Sequence, residues 1–297
     1  MSNGVAALPT GLAFTKGHGT GNDFVLYSDP TGEFPLTAEL ARALADRRRG
    51  VGGDGVIRAV RSAALADVPT AAAAAEAGAE WFMDYRNSDG SLAEMCGNGI
   101  RVFVEFLRAQ GLARLGDSDS VLIGARAGCV LVRCQDGMYA VDLGKWRFCG
   151  GQGAVRRGCD CQVFAQGLDR PAGGLSVNVG NPHVVVAVQA EELARLDLSC
   201  PPVIEPAPEG GANVEFMVVD RERASIRMRV HERGSGETQS CGTGAAAAAL
   251  AAWARAGAGA PDTWTVQVPG GCLWVRMIDD VVELTGPAVL VHAGAIL

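Results

Sequence analysis

Two stretches of this chain carry residue types that can do the same chemistry. Residues 232–250 read ERGSGETQSCGTGAAAAAL and set Cys241 between a polar, glycine-broken loop and an alanine-rich run that reads as helix. Residues 87–99 read NSDGSLAEMCGNG and set Cys96 ahead of the apolar run IRVFVEFL. A sulfur at a helix start lies beside backbone N–H groups that have no intrahelical acceptor. Those donors and the helix dipole stabilise an anion, so a thiol there tends towards the reactive thiolate. The plain alternative for either residue is a small, buried, apolar cysteine, the usual fate of one.

The two stretches repeat each other. Laying Cys96 on Cys241 puts CGNG on CGTG and Asn87 on Glu232. Downstream, AGCVLVR at 127–133 resembles GGCLWVR at 270–276, and DGMYAVDLG at 136–144 resembles DDVVELTG at 279–286. Upstream, GNDF at 21–24 has a looser counterpart in GNPH at 180–183. Such self-similarity indicates two copies of one fold of about 140 residues, each presenting a cysteine at a helix start. A pair of like proton carriers suits inversion at a chiral carbon. One base removes a proton from one face, and an acid on the other face returns one. No cofactor or metal is needed if backbone N–H groups hold the carboxylate and the developing carbanion.

The elements that must position these residues follow in order. Residues 12–29 read as strand, glycine-rich turn (GHGTGND) and strand, with Asn22 just past the turn. Asn22 could instead be a turn residue tolerating left-handed backbone, and His18 reads as structural. Thr37 can cap a helix closed by the basic DRRRG at 46–50. Residues 61–80 are alanine-rich with one proline, and read as a surface insertion. A strand over 81–86 delivers Asn87, and a helix over 100–110 turns Val102, Phe103, Phe106 and Leu107 inwards. Residues 121–143 read as a hairpin turning at Gln135-Asp136-Gly137. The second copy starts near Leu143 with a glycine- and arginine-rich segment that gives no clear pattern. VNVGNPHVVVAV then reads as strand, turn and strand carrying Asn181 and His183. Asn213 opens a further strand, and IRMRVHER alternates along another that ends in Glu232 and Arg233, a pair that elsewhere would read as solvated surface charges.

The stretches KGHGTGNDF, NSDGSLAEMCGNGIR, VNVGNPHVVV, GANVEFM, HERGSGETQSCGTGA and VPGG, in order from Lys16 to Gly271, closely resemble the diaminopimelate epimerase family. The resemblance implies an α/β (α+β) chain of two pseudo-symmetric domains with a cleft between them. Each domain would wrap a β-sheet around a central helix with the active cysteine at its N-terminus. The expected division is 1–142 plus 287–297 for the domain with Cys96, and 143–286 for the domain with Cys241. It further implies interconversion of LL- and meso-2,6-diaminopimelate, a step towards lysine and peptidoglycan precursors. Cys96 and Cys241 would be the acid–base pair, with Cys241 accepting and Cys96 donating from LL to meso. Asn22, Asn87, Asn181, Asn213, Glu232 and Arg233 would hold the polar ends of the substrate. Gly97, Asn98, Gly242 and Thr243 would offer donors to its α-carboxylate, and His183 and Glu232 would tune the thiols. The family further implies a homodimer formed with the final segment, where His292 stands in place of a tyrosine of several relatives. At Gly55 many relatives carry a glutamine that touches substrate, a contact that glycine cannot make.

Bulk properties bound the rest. A chain of 297 residues has room for two domains. A net charge of −7 argues against nucleic-acid or anionic-membrane partners, and the family resemblance implies a small-molecule substrate. Nine scattered cysteines, the closest being Cys159 and Cys161, form no disulfide framework or metal-ligand spacing and read as a reducing, cytoplasmic setting. The start MSNGVAALPTGLAF lacks the basic region of a signal peptide. The apolar run 242–254 falls short of the ~20 residues that span a bilayer. Three other readings stay open: an epimerase of the proline or hydroxyproline type, a thiol–disulfide redox protein, and a non-catalytic binding module of the same fold.

Overall fold

The computed structural model describes residues 8–297. The chain divides into two compact units, one reaching to Val141 and including Pro287–Leu297, the other Asp142–Gly286. In the first, β1 (Ala13–Gly19) and β2 (Asn22–Ser28) form a hairpin, and helix α1 (Ala38–Ala45) follows. Thr37 caps α1, its hydroxyl accepting from the Leu40 N–H at 3.1 Å. Next come β3 (Gly55–Arg61), helix α2 (Pro69–Glu76), β4 (Trp81–Asn87) and helix α3 (Gly97–Ala109). The meander β5 (Ser120–Ala125), β6 (Gly128–Gln135) and β7 (Met138–Lys145) completes the run. The C-terminal strand Val289–Ala295 pairs antiparallel with β1 at the sheet edge.

The second unit holds β8 (Arg147–Phe148), helix α4 (Gly151–Arg157), β9 (Cys161–Phe164), β10 (Ala172–Asn178), β11 (Pro182–Ala187) and helix α5 (Ala190–Arg195). It continues with β12 (Val203–Glu205), β13 (Asn213–Asp220), β14 (Ser225–Glu232), β15 (Gly236–Thr238) and helix α6 (Gly242–Ala256). β16 (Thr263–Val268), β17 (Gly271–Ile278) and β18 (Val281–Pro287) lead to the C-terminal strand, β19.

The two units share one strand plan. β1–β2 is antiparallel, β2–β3 parallel, β3–β4 antiparallel, β4–β5 parallel and β5–β6 antiparallel. β10–β11, β11–β13, β13–β14, β14–β16 and β16–β17 repeat that alternation. Each sheet wraps a central helix, α3 against β1, β2, β3 and β19, and α6 against β10, β11, β13, β14, β16 and β17. Both helices are buried on nearly every side, as an enclosed helix must be to lack a polar face. α3 fills its sheet with Ile100, Val102, Phe103, Phe106 and Leu107, whereas α6 presents Ala245 to Ala249 and lets its strands come close.

Two expectations change. Residues 61–80 lie at the surface but are ordered and packed on one side: Ser62–Leu65 form a 3₁₀ turn and α2 packs Ala71 and Ala74 into a core cluster with Val60, Ala79 and Phe82. A Cβ added at Gly124 would lie 2.7 Å from that of Ala74, so the small residues reflect a helix lying directly on a strand. Residues 121–143 form three strands, with a second turn at Arg126–Ala127.

The packing of α6 yields a stability prediction. Ala248 has no exposed surface, so Ala248→Leu has no room to expand and should cost about 1–3 kcal/mol. Urea or thermal unfolding measures it, and an unchanged midpoint would mean that the helix is looser than described.

Candidate active site

In the first unit Cys96 is the N-cap of α3. Its Sγ accepts from the Gly99 N–H at 3.4 Å, and lies 3.6 Å from Asn22 Oδ1. The left-handed positions of the preceding turn fall to Thr20 and Gly21, so Asn22 itself is ordinary strand. Asn22 donates from Nδ2 to Asp54 Oδ2 at 2.8 Å and accepts from Asn98 Nδ2 at 3.4 Å. Asn98 is fixed in turn by Arg101, whose Nη2 donates to Asn98 Oδ1 at 2.7 Å and to Thr20 Oγ1 at 3.4 Å. Arg101 is fully buried, with Nε and Nη1 lacking a hydrogen-bond partner among the described residues. Burial pulls its guanidinium down to about 10. Gly97 and Asn98 are the first positions of α3, where backbone donors point out of the helix end.

Asn87 ends β4. Its Oδ1 accepts from the Tyr85 hydroxyl at 2.9 Å, and its Nδ2 donates to Ser91 Oγ at 3.0 Å. The space a side chain at Gly55 would need is taken by Tyr85, whose Cε2 would lie 2.4 Å from an added Cβ. A charge cluster braces the Asn22 strand. Asp23 meets Lys16 at 2.6 Å and Arg47 at 2.7 Å, and Arg47 also reaches Asp54 at 2.8 Å. Burial raises the Asp23 carboxyl, but the hydrogen bonds from Arg47 and Lys16 outweigh it and hold the group well below the usual range.

In the second unit Cys241 caps α6 in the same way, its Sγ accepting from the Gly244 N–H at 3.4 Å and lying 3.6 Å from the Thr243 hydroxyl. Gly242 and Thr243 open the helix. Burial pushes the Cys241 thiol well above its ordinary value, and the charges of Glu232 and Glu215 add to this. Glu232, raised mainly by its own burial, accepts from the Thr238 hydroxyl and is hydrogen-bonded to Cys241. His183 is buried, with Nδ1 2.7 Å from Glu215 Oε1 and Nε2 2.9 Å from Asn181 Oδ1. Asn213 accepts the Arg233 backbone N–H at 2.9 Å, while the exposed Arg233 guanidinium donates to Gly210 O at 2.5 Å. Arg233 and Glu232 are therefore not a pair of solvated charges.

The structure thus gathers Asn22, Gly97 and Asn98 about Cys96, and Glu232, Gly242 and Thr243 about Cys241, with His183 one step away through Glu215. Four residues were not singled out from sequence: Asp54, Tyr85, Arg101 and Glu215. For Arg101 and Glu215 a signal existed, a charge inside a largely apolar run: Arg101, with Glu105, in IRVFVEFL and Glu215 alone in VEFMVV.

The sequence profile of the family described as "Diaminopimelate epimerase" matches residues 14–149 and 175–291. The chain belongs to the diaminopimelate epimerase family. A diaminopimelate epimerase of Thermobifida fusca is 46% identical over 95% of this chain and 97% of its own length. One of Streptomyces coelicolor is 45% identical, covering 97% of this chain and 96% of its own. Among solved structures, a Bacillus anthracis phenazine biosynthesis protein of the PhzF family superposes with a TM-score of 0.68, covering 97% of this chain and all of its own, at 15% identity. That likeness concerns the fold alone. Membership of the diaminopimelate epimerase family makes the chain an isomerase with a small-molecule substrate. No helix among the described residues is long and apolar enough to cross a membrane.

The brace beneath Asn22 gives a prediction in this family member. Asp23→Asn removes the partner of Lys16 and Arg47, and should cost about 1–3 kcal/mol, the range for hydrogen bonds to charged groups. Because the folded carboxyl is depressed, its stabilisation is complete above the unfolded value of about 4 and fades as pH falls below it. Urea unfolding at several pH values should show a constant gap between wild type and variant near neutrality. The gap should narrow only below about pH 4.

Proposed function

We propose that this chain interconverts LL- and meso-2,6-diaminopimelate by two-base proton transfer, with Cys96 and Cys241 as the acid–base pair. The observation that carries the reading is the shared setting of the two sulfurs. Each replaces an oxygen at the N-cap of its unit's buried central helix and accepts a backbone N–H of the first turn. The close relatives named diaminopimelate epimerase favour this substrate over proline or hydroxyproline. From LL to meso, the Cys241 thiolate takes the α-proton and the Cys96 thiol gives its proton to the opposite face of the carbanion. The reverse reaction swaps the roles. Asn22, Asn87, Asn181, Asn213, Glu232 and Arg233 hold the polar ends of the substrate. Gly97, Asn98, Gly242 and Thr243 present donors to its α-carboxylate, where charge develops as the proton leaves. His183 and Glu232 set the proton affinity of the thiols. A homodimer and a cytoplasmic setting belong to the same proposal and rest on the family resemblance; sedimentation velocity tests the first.

Proton NMR of LL-diaminopimelate in deuterated water with purified protein tests the substrate. Loss of the α-proton signal together with appearance of the meso isomer is expected. An inert α-proton on diaminopimelate, with exchange on hydroxyproline, would move the protein to the other substrate class. Cys96→Ala and Cys241→Ala should each lower turnover by 10²-fold or more, about the range for loss of a general acid or base, with circular dichroism unchanged. A single variant that keeps substantial turnover defeats the two-face mechanism. As the chemistry routes every proton through sulfur, activity should also survive dialysis against a chelator.

A further inference from the structure

The shared strand plan allows the two cysteine settings to be compared position by position. In the parallel pair β2–β3, Phe24 lies opposite Gly55 and Leu26 opposite Ile57. In the matching pair β11–β13, His183 lies opposite Asn213 and Val185 opposite Glu215. His183 therefore stands where Phe24 stands, and Glu215 where Ile57 stands. Behind the Cys96 turn the first unit places hydrocarbon: a Cβ added at Gly99 would lie 3.4 Å from both Ile57 Cδ1 and Phe24 Cζ. Behind the Cys241 turn the second unit places a carboxylate: a Cβ added at Gly244 would lie 2.6 Å from Glu215 Oε1. The fold does not require an acid there, because its own first copy does without one.

That acid is costly to keep. The side chains of Glu215 and His183 are both 0% exposed, and Glu215 Oε2 has no hydrogen-bond partner among the described residues. A buried carboxylate oxygen without a donor loses its hydration with nothing in return. Strongly unfavourable placements of this kind concentrate at functional sites.

We propose that Glu215 is a positioning residue of the epimerase: it clamps His183 and sets its acid group behind the turn that carries Cys241, making the two thiols chemically unequal. The proposal rests on the functional reading above and adds a residue to it. The titratable groups acting on Cys241 are Glu232 from β14 and Glu215 from β13, with His183 from β11 held against Glu215. Burial raises the thiol first, and the charges of Glu232 and Glu215 raise it further. A thiolate formed beside those anions is a stronger base. The α-proton of an amino acid is very weakly acidic, so a stronger base lies closer to the driving force the transfer needs. Glu215 touches no reacting atom. It acts through the Gly244 turn and through the His183 ring, whose far nitrogen meets Asn181.

The test reads the thiol without substrate. Iodoacetamide alkylation of Cys241, followed by peptide mapping across pH, should show its midpoint about one pH unit lower in Glu215→Gln, roughly a tenfold rise in thiolate below the midpoint. The Cys96 midpoint should stay in place. Glu215→Ile, which copies the hydrocarbon of the first unit, should shift Cys241 in the same direction with unfolding stability equal to or above wild type. It serves alone if the glutamine variant does not fold. Turnover on diaminopimelate should fall in both variants, with kcat/KM lowered by one factor in both directions because the equilibrium is fixed. An unmoved Cys241 midpoint overturns the proposal, and so does a moved midpoint with undiminished turnover. Absence of diaminopimelate turnover in the wild type would instead defeat the functional reading, leaving the alkylation profile to decide the electrostatic claim.

Discussion

A sulfur stands at each central helix where a hydroxyl, carboxylate or amide oxygen normally caps. The chemistry proposed for this chain depends on that substitution. α3 and α6 are wrapped by their sheets, so the donors at their N-termini are shielded from most of the water that would otherwise satisfy them. Cys96 and Cys241 each take one of those donors, from Gly99 and Gly244. Sulfur is a weak acceptor when protonated and a good one as thiolate. The helix start therefore favours the form of the side chain that can take a proton, and the sheet keeps that form away from bulk solvent.

The surroundings then divide the labour. In the first unit the sulfur is reached through amides, with Asn22 held by Asp54, and Asn98 by the buried Arg101. In the second it is reached through carboxylates, Glu232 and Glu215, the latter held by the His183 imidazole. One strand plan serves both, and the difference lies in a few side chains at equivalent places. A pair of identical thiols in identical settings would hold protons equally. The proposed reaction, which needs one loaded and one empty thiol, gains from settings that are unequal.

The glycines of the two motifs serve this close packing. At Gly244 the carboxylate of Glu215 fills the place of a Cβ, and at Gly99 the side chains of Ile57 and Phe24 come within ordinary contact. Alanines along α6 let six strands close around a helix of 15 residues, whereas α3 fills the wider space of its own sheet with phenylalanine and leucine. Similar enclosure is reached with different volumes, which is why the helices look unlike in composition and alike in burial.

What the sequence alone determined is local. Cap residues, helix starts, turns and the repeat of two cysteine motifs are written within a few residues of each other. Cys96 and Cys241 could be picked out as candidates from those stretches, Asn22, Asn98 and His183 entered through the family resemblance, and Thr37 capped the helix it was expected to cap. What the tertiary structure decided is the long-range register of the sheets. That register brings Glu215 beneath Cys241 from a strand 26 residues upstream, and seats Tyr85 in the space above Gly55. It turns the alanine-rich 61–80 segment into a helix on the core. A lone glutamate in VEFMVV or an arginine in IRVFVEFL carries no mark of its neighbours, because its partners lie on other strands and loops. Which buried charge meets which sulfur is settled only when the strands pair.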